Sequence, residues 1–94
     1  MSHVIWVDTA EADRDAAIEY IAEYSLDSAL RQFDEIIHQT ERLLRFPELG
    51  RPSRRWGFRE LSINRTSFVV TYRVLRTDIE IVMFRHTAQD DETD

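Results

Sequence analysis

The feature that most constrains this chain is a change of hydrophobic period at Gly57. Before it, apolar residues recur at steps of three and four; after it, they alternate. Ala17, Ile21 and Tyr24, flanked by Ile18 and Tyr20, form one helical face. A longer stripe follows through Leu26, Ala29, Leu30, Phe33, Ile37, Thr40 and Leu44, widened by Ile36 and Leu43, and reads as core. The two runs predict helices over 9–24 and 27–45, the first capped by Asp8 or Thr9 and the second by Asp27. The short link "SLD" between them makes an antiparallel helical hairpin. "FPELGRP" ends the second helix, because Pro47, Gly50 and Pro52 do not continue one.

Beyond Gly57 the pattern is that of strands. In "FRELSI" Phe58, Glu60 and Ser62 alternate with Arg59, Leu61 and Ile63. In "SFVVTYRVL" Phe68, Val70, Tyr72 and Val74 alternate with Val69, Thr71, Arg73 and Leu75. In "IEIVMFRH" Ile79, Ile81, Met83 and Arg85 alternate with Glu80, Val82, Phe84 and His86. Turn-like "NRT" and "RTD" join the three into an antiparallel meander, and "HVIWV" adds a strand at the start. The expected strands are 3–7, 57–64, 67–76 and 79–86. The order is β-α-α-β-β-β, an α+β fold with an N-terminal helical hairpin packed on one face of an antiparallel sheet. Phe33, Ile37, Leu44, Val70 and Tyr72 are expected in or near the core. Residues 1–89 form one domain in this reading, and 90–94 an acidic disordered tail.

Charge divides the chain more sharply than its net value of −6 suggests. Residues 1–44 hold three arginines against ten acids, and residues 45–89 hold nine against four. Every cationic side chain is Arg, which offers a planar fork to carboxylate or phosphate and does not serve as a neutral amine base. The absence of cysteine excludes disulfides, thiolate catalysis and cysteine-ligated zinc. His3 and His38 show no metal-ligand spacing, so no metal or cofactor is expected. The longest apolar runs are four residues, which predicts no signal peptide, no membrane span and a cytoplasmic protein.

With its residues in order, the chain resembles the RelE/ParE superfamily of toxins from type II toxin–antitoxin modules. Trp6 after a short strand, "DSALRQFDEI", "FPELGRP", "FRELSI", "FVVTYRV" and "IEIVMFRHTAQ" carry the resemblance across residues 3–89. The pattern is closer to ParE-like members, and the lysines of RelE-like members have no counterpart. The resemblance implies a bacterial toxin that poisons DNA gyrase and forms a hetero-oligomer with a cognate antitoxin. Its alternative is a RelE-like endoribonuclease acting on mRNA at the ribosome.

Cleavage through a ribose hydroxyl needs a proton carrier and cations on the phosphate. If the chain is a nuclease, His86 is the proton carrier, and Arg85, Arg65 or Arg59 holds the phosphate. Otherwise His86 is a strand-end residue bonded to a neighbour or recruited by the antitoxin. Arg51 and Arg59 match the family pattern and read as structural, pairing with Glu48 and Glu60. Arg73, mid-strand, calls for a partner such as Glu60 or Glu80. Arg54 and Arg55 serve no such pattern and suit an acidic antitoxin, with Trp56, Phe58, Ile63 and Phe84 as further contacts. Two helices do not cover four strands, so apolar surface should remain where that partner docks as a strand or amphipathic helix.

Overall fold

A computed structural model describes residues 1–87. In chain order it holds β1 (Val4–Trp6), α1 (Asp8–Ala22), α2 (Leu26–Glu41), a 3₁₀ turn (Arg42–Leu44), β2 (Arg51–Pro52), β3 (Arg59–Ile63), β4 (Phe68–Leu75) and β5 (Asp78–His86). The strands form one sheet in the order β1-β5-β4-β3-β2, in which β1 runs parallel to β5 and the other pairs are antiparallel. The α+β order expected from the sequence is present. Two details differ: the sheet is mixed, because β1 enters beside the last strand, and the short β2 adds a fifth strand. The tail expected at 90–94 lies outside the described residues.

The helix starts differ from the predicted caps. Val7, in extended conformation, occupies the position before α1 and makes no side-chain cap. Its N–H donates to the Ile81 carbonyl at 3.0 Å and its carbonyl accepts from Glu11 N–H at 2.9 Å, so strand pairing sets the start of α1. Asp8 and Glu11 then lie in the first turn, where the exposed N–H groups favour negative charge. Ser25, rather than Asp27, caps α2, its hydroxyl accepting from Ser28 N–H at 3.1 Å.

Both helices lie on one face of the sheet. Ala10 of α1, Ile36 of α2 and Leu43 of the 3₁₀ turn share a buried cluster with Leu61, Ile63, Phe68, Val70, Tyr72, Ile79, Ile81 and Phe84. Phe84 lies 4.8 Å from the Phe68 ring and 6.2 Å from Trp6. Val70 and Tyr72 are fully buried, while Phe33, Ile37 and Leu44 are half-buried at the margin.

A strict alternation through β5 would put Phe84 on the face opposite Ile81. The structure instead shifts register: Thr71 pairs with Met83 but Tyr72 pairs with Ile81, making Val82 the extra residue of a bulge. Ile79, Ile81 and Phe84 thereby share the helix face, and Met83 and Arg85 turn to the other.

Three polar clamps that periodicity does not reveal hold these layers. Arg14 of α1 is nearly buried, its guanidinium 4.6 Å from the Trp6 ring centre and 5.3 Å from that of Phe33, bonded to Asp15 at 2.9 Å. Gln39 of α2 treats the β3–β4 turn as a strand edge, accepting from Asn64 N–H at 2.8 Å and donating to Asn64 O at 2.9 Å. The Tyr72 hydroxyl donates to Pro47 O at 2.7 Å and accepts from Gly50 N–H at 2.9 Å. Burial pushes that phenol above its ordinary pKa. A Cβ at Gly50 would stand 2.6 Å from Glu60 O and 2.8 Å from the Tyr72 ring, which accounts for glycine in "PELG".

Candidate functional site

The arginine-rich loop between β2 and β3 is folded tightly on its own backbone. Ser53 N–H donates to Phe58 O at 2.9 Å, Phe58 N–H to Arg55 O at 3.1 Å, and Arg55 N–H to the Ser53 hydroxyl at 3.1 Å. Gly57 closes the loop at a φ of +88°, a conformation that side chains disfavour. The result drives Trp56 outward, 95% exposed, beside a groove of about 340 Å³ lined by Pro52, Phe58, Arg59, Tyr72 and Arg73.

Phe58 is the platform of this groove. The Arg55 guanidinium lies 5.3 Å from its ring centre and that of Arg73 lies 5.6 Å away. Arg73 is steadied by Glu80 across the sheet at 2.7 Å, one of the two partners that its mid-strand position called for. An exposed indole, a phenyl ring and two stacked guanidinium groups suit a partner that brings carboxylates and apolar side chains together. Stacking fixes the arginines in advance, so less side-chain freedom is lost when they bind.

The neighbouring open face is polar at its centre. Glu60 accepts from Arg51 at 3.3 Å through one oxygen and from Arg85 at 3.0 Å through the other. Arg85 also donates to the Thr71 hydroxyl at 2.9 Å. Arg59 points to the opposite side and donates to Gly50 O at 2.7 Å, so the structural reading of Arg51 and Arg59 holds with different partners from Glu48.

Of the four residues proposed for a nuclease, Arg85 and His86 line one pocket of about 280 Å³ with Asp13 and Phe68, and Arg65 and Arg59 do not join them there. His86 pairs with Phe68 and lies edge-on to its ring at 5.6 Å, on the helix side of the sheet. Arg85, its neighbour, reaches the other way to Glu60. Arg65 occupies the left-handed position of the β3–β4 turn, φ 69°, and pairs with Glu35 of α2 at 3.1 Å. Arg59 sits at the far end of β3 from that turn. Among the described residues no three His, Asp or Glu side chains are grouped to hold a metal ion.

Of the expected partner contacts, Arg54, Arg55 and Trp56 are exposed and Phe58 is half-buried in the groove. Ile63 and Phe84 are corrected to core residues, 1% and 4% exposed, because β3 pleats Ile63 inward and the bulge turns Phe84 the same way. The stripe on α2 needs the opposite correction. Leu26 and Leu30 are 64% and 57% exposed, since Ala29, Ile36, Gln39 and Thr40 take the buried positions. With Tyr20 and Tyr24, whose rings meet edge-to-face at 5.3 Å, they leave an apolar patch at the hairpin. Its signal in the sequence was the width of the stripe, too broad for one helix to bury. No helix among the described residues is long and apolar enough to cross a membrane.

Comparison with known proteins adds an independent line. The family described as "ParE toxin of type II toxin-antitoxin system, parDE" matches residues 4–91. No curated protein matches the chain. Among solved structures, a chain from the "Chromosomal ParDE TA system from P. aeruginosa" is similar at a TM-score of 0.77 and 29% identity, covering 92% of this chain and 96% of that one.

Proposed function

The chain belongs to the ParE toxin family of type II toxin–antitoxin systems, and from that premise we propose that it arrests growth by poisoning DNA gyrase until a cognate antitoxin neutralises it. The observation that carries this reading is the groove under Trp56, a preformed recognition surface of aromatic rings and stacked arginines. It has the character of a protein-binding site, enriched in Trp and Arg. In this reading Arg54, Arg55, Trp56 and Phe58 meet an acidic antitoxin segment, and the hairpin patch of Tyr20, Tyr24, Leu26 and Leu30 receives an apolar helix face from the same partner.

The RelE-like alternative, with ribosome and mRNA as targets, needs an acid–base group and phosphate-holding cations within reach of one scissile bond. Arg85 and His86 share a pocket, but the separate positions of Arg65 and Arg59 weigh against it. Production of the protein alone should induce the DNA damage response before translation stops, and purified protein should stabilise gyrase–DNA cleavage complexes. His86→Ala should leave this toxicity intact. Cleavage of mRNA on translating ribosomes that falls about 10²–10⁴-fold in His86→Ala would instead select the nuclease.

A further inference from the structure

The tip of the helical hairpin carries charge that does not serve its own helices. Asp15, Glu19, Glu23 and Asp27 follow at intervals of four, and no arginine stands among residues 15–30. Like charges one helical turn apart repel, and the last turn of α1, where the helix dipole disfavours anions, holds no basic residue. Asp15 is paired with Arg14. Among the described residues no ion pair reaches Glu19, Glu23 or Asp27, and all three are exposed. Set among them are Tyr20, Tyr24, Leu26 and Leu30, each more than half exposed. Glu23 stands one turn from Tyr20, and Asp27 one turn from Leu30. The tip is also remote from the Trp56 groove. Running back from Leu43 in the core, the chain is fastened at Gln39 to Asn64 of the β3–β4 turn and at Glu35 to Arg65. The first turns of α2 therefore lead past that end of the sheet, while the groove lies at the other end of β3, beside Arg59.

We propose that the hairpin tip docks a basic amphipathic helix of a partner protein. The antitoxin read above, on which this inference rests, then carries two segments of opposite charge: an acidic one for the groove and a basic one for the tip. Charge selects the occupant. An apolar helix face covers Leu26 and Leu30, and flanking Lys or Arg side chains meet Glu19, Glu23 and Asp27. The same cations lie against the rings of Tyr20 and Tyr24, which a neutral or acidic helix does not exploit. A second copy of the tip would set these acids against one another, and like-charge contact opposes that pairing. The five residues of β3 and the nine positions from Leu30 to Gln39 put the two sites about 30 Å apart. Two linked segments that span this distance raise each other's effective concentration, and a partner with only one of them forgoes that gain.

Two synthetic helical peptides with the same leucine face test this, one flanked by arginine and the other by glutamate. The arginine peptide should bind the protein. Tyr24→Ala with Leu30→Ala should weaken it about tenfold or more, and so should the joint change Glu19→Gln, Glu23→Gln and Asp27→Asn. Trp56→Ala should leave it unchanged, and the charge neutralisation should not weaken the glutamate peptide. The neutralised variant should melt no lower than the parent, because these acids repel one another in the free protein. No binding of the arginine peptide, binding that survives both tip changes, or a lowered melting temperature on neutralisation would overturn the proposal. Self-association of the protein that Leu30→Ala abolishes would assign the tip to a second copy and overturn it equally. An antitoxin that binds parent and neutralised variant alike would overturn this inference and leave the toxin reading standing. A protein that takes the arginine peptide at its tip but poisons no gyrase would overturn the toxin reading alone.

Discussion

The two faces of one sheet are built from opposite chemistry by residues that alternate along the same strands. On the helix side, Leu61, Ile63, Phe68, Val70, Tyr72, Ile81 and Phe84 form a dry layer. One residue away in each strand, Glu60, Thr71 and Arg85 form one charge-assisted hydrogen-bonded group, and Arg73 with Glu80 forms a second. The first face fixes the fold through apolar burial, which does not titrate and which dissolved ions do not screen. The second is tied by contacts that water and ions weaken. Stability and the proposed recognition surface are thus separated by the thickness of a single sheet, and substitutions on the two faces should have separable effects.

The largest effect should come from the helix side. Phe84→Ala, which empties the space between Phe68 and Trp6, should cost about 3–5 kcal/mol in denaturant unfolding. A loss near zero would mean that the bulge at Val82 does not turn Phe84 inward. Gly50→Ala comes next at about 1–3 kcal/mol, because its Cβ meets backbone at Glu60 and has no flexible neighbour there to yield. Tyr72→Phe should cost a similar amount, about 1–3 kcal/mol, through the stranded Gly50 N–H.

The open face should respond less. Glu60→Gln leaves Arg51 and Arg85 without their shared anion; water screens the exposed Arg51, but the Glu60–Arg85 pair is mostly buried, so the loss should be about 1–2 kcal/mol. High salt should shrink that difference, whereas it should not shrink the cost of Phe84→Ala. Trp56→Ala should sharpen the contrast further. At 95% exposure it should move stability by no more than about 0.5 kcal/mol. Antitoxin affinity should nevertheless fall about 30-fold in a titration, the scale of an aromatic hot spot.

The smallest effect concerns pH. Hydrogen bonds from Gln39 and then Arg65 hold the Glu35 carboxyl below its ordinary value of 4.5. A carboxylate whose pKa is lowered by folding adds stability above its unfolded pKa, and that contribution disappears as pH falls through the folded value. The melting temperature of Glu35→Gln should therefore decline less steeply than that of the parent below about pH 4.5. Parallel curves would show that the Gln39–Asn64 clamp does not depend on Glu35.

The contrast between the faces was partly legible in the sequence. Alternation in "FRELSI" and "FVVTYRV" assigns Leu61, Ile63, Val70 and Tyr72 to one side and Glu60 and Arg73 to the other, as observed. The exposed Arg54, Arg55 and Trp56 were likewise readable, because a loop bounded by Pro52 and Gly57 has no layer to bury them. Arg14 escaped notice since an arginine among acids on a first helix looks solvated, and only the crossing of Trp6 and Phe33 buries it. Leu26 and Leu30 were misplaced because periodicity gives the direction of an apolar stripe and not how much of its width a neighbour covers.

By itself the sequence determined the element order, the hairpin and the inward set of the two middle strands, because each follows from local periodicity and turn chemistry. Tertiary structure alone decided three other things. It placed β1 beside β5, which no local pattern encodes, since the pairing joins residues more than seventy positions apart. It capped the start of α1 through that pairing rather than through a side chain. And it inserted Val82 as a bulge, because Ile81 and Phe84 can both reach the helices only if one residue between them is left out of register. That single displaced residue turns Phe84 into the core and Arg85 toward Glu60.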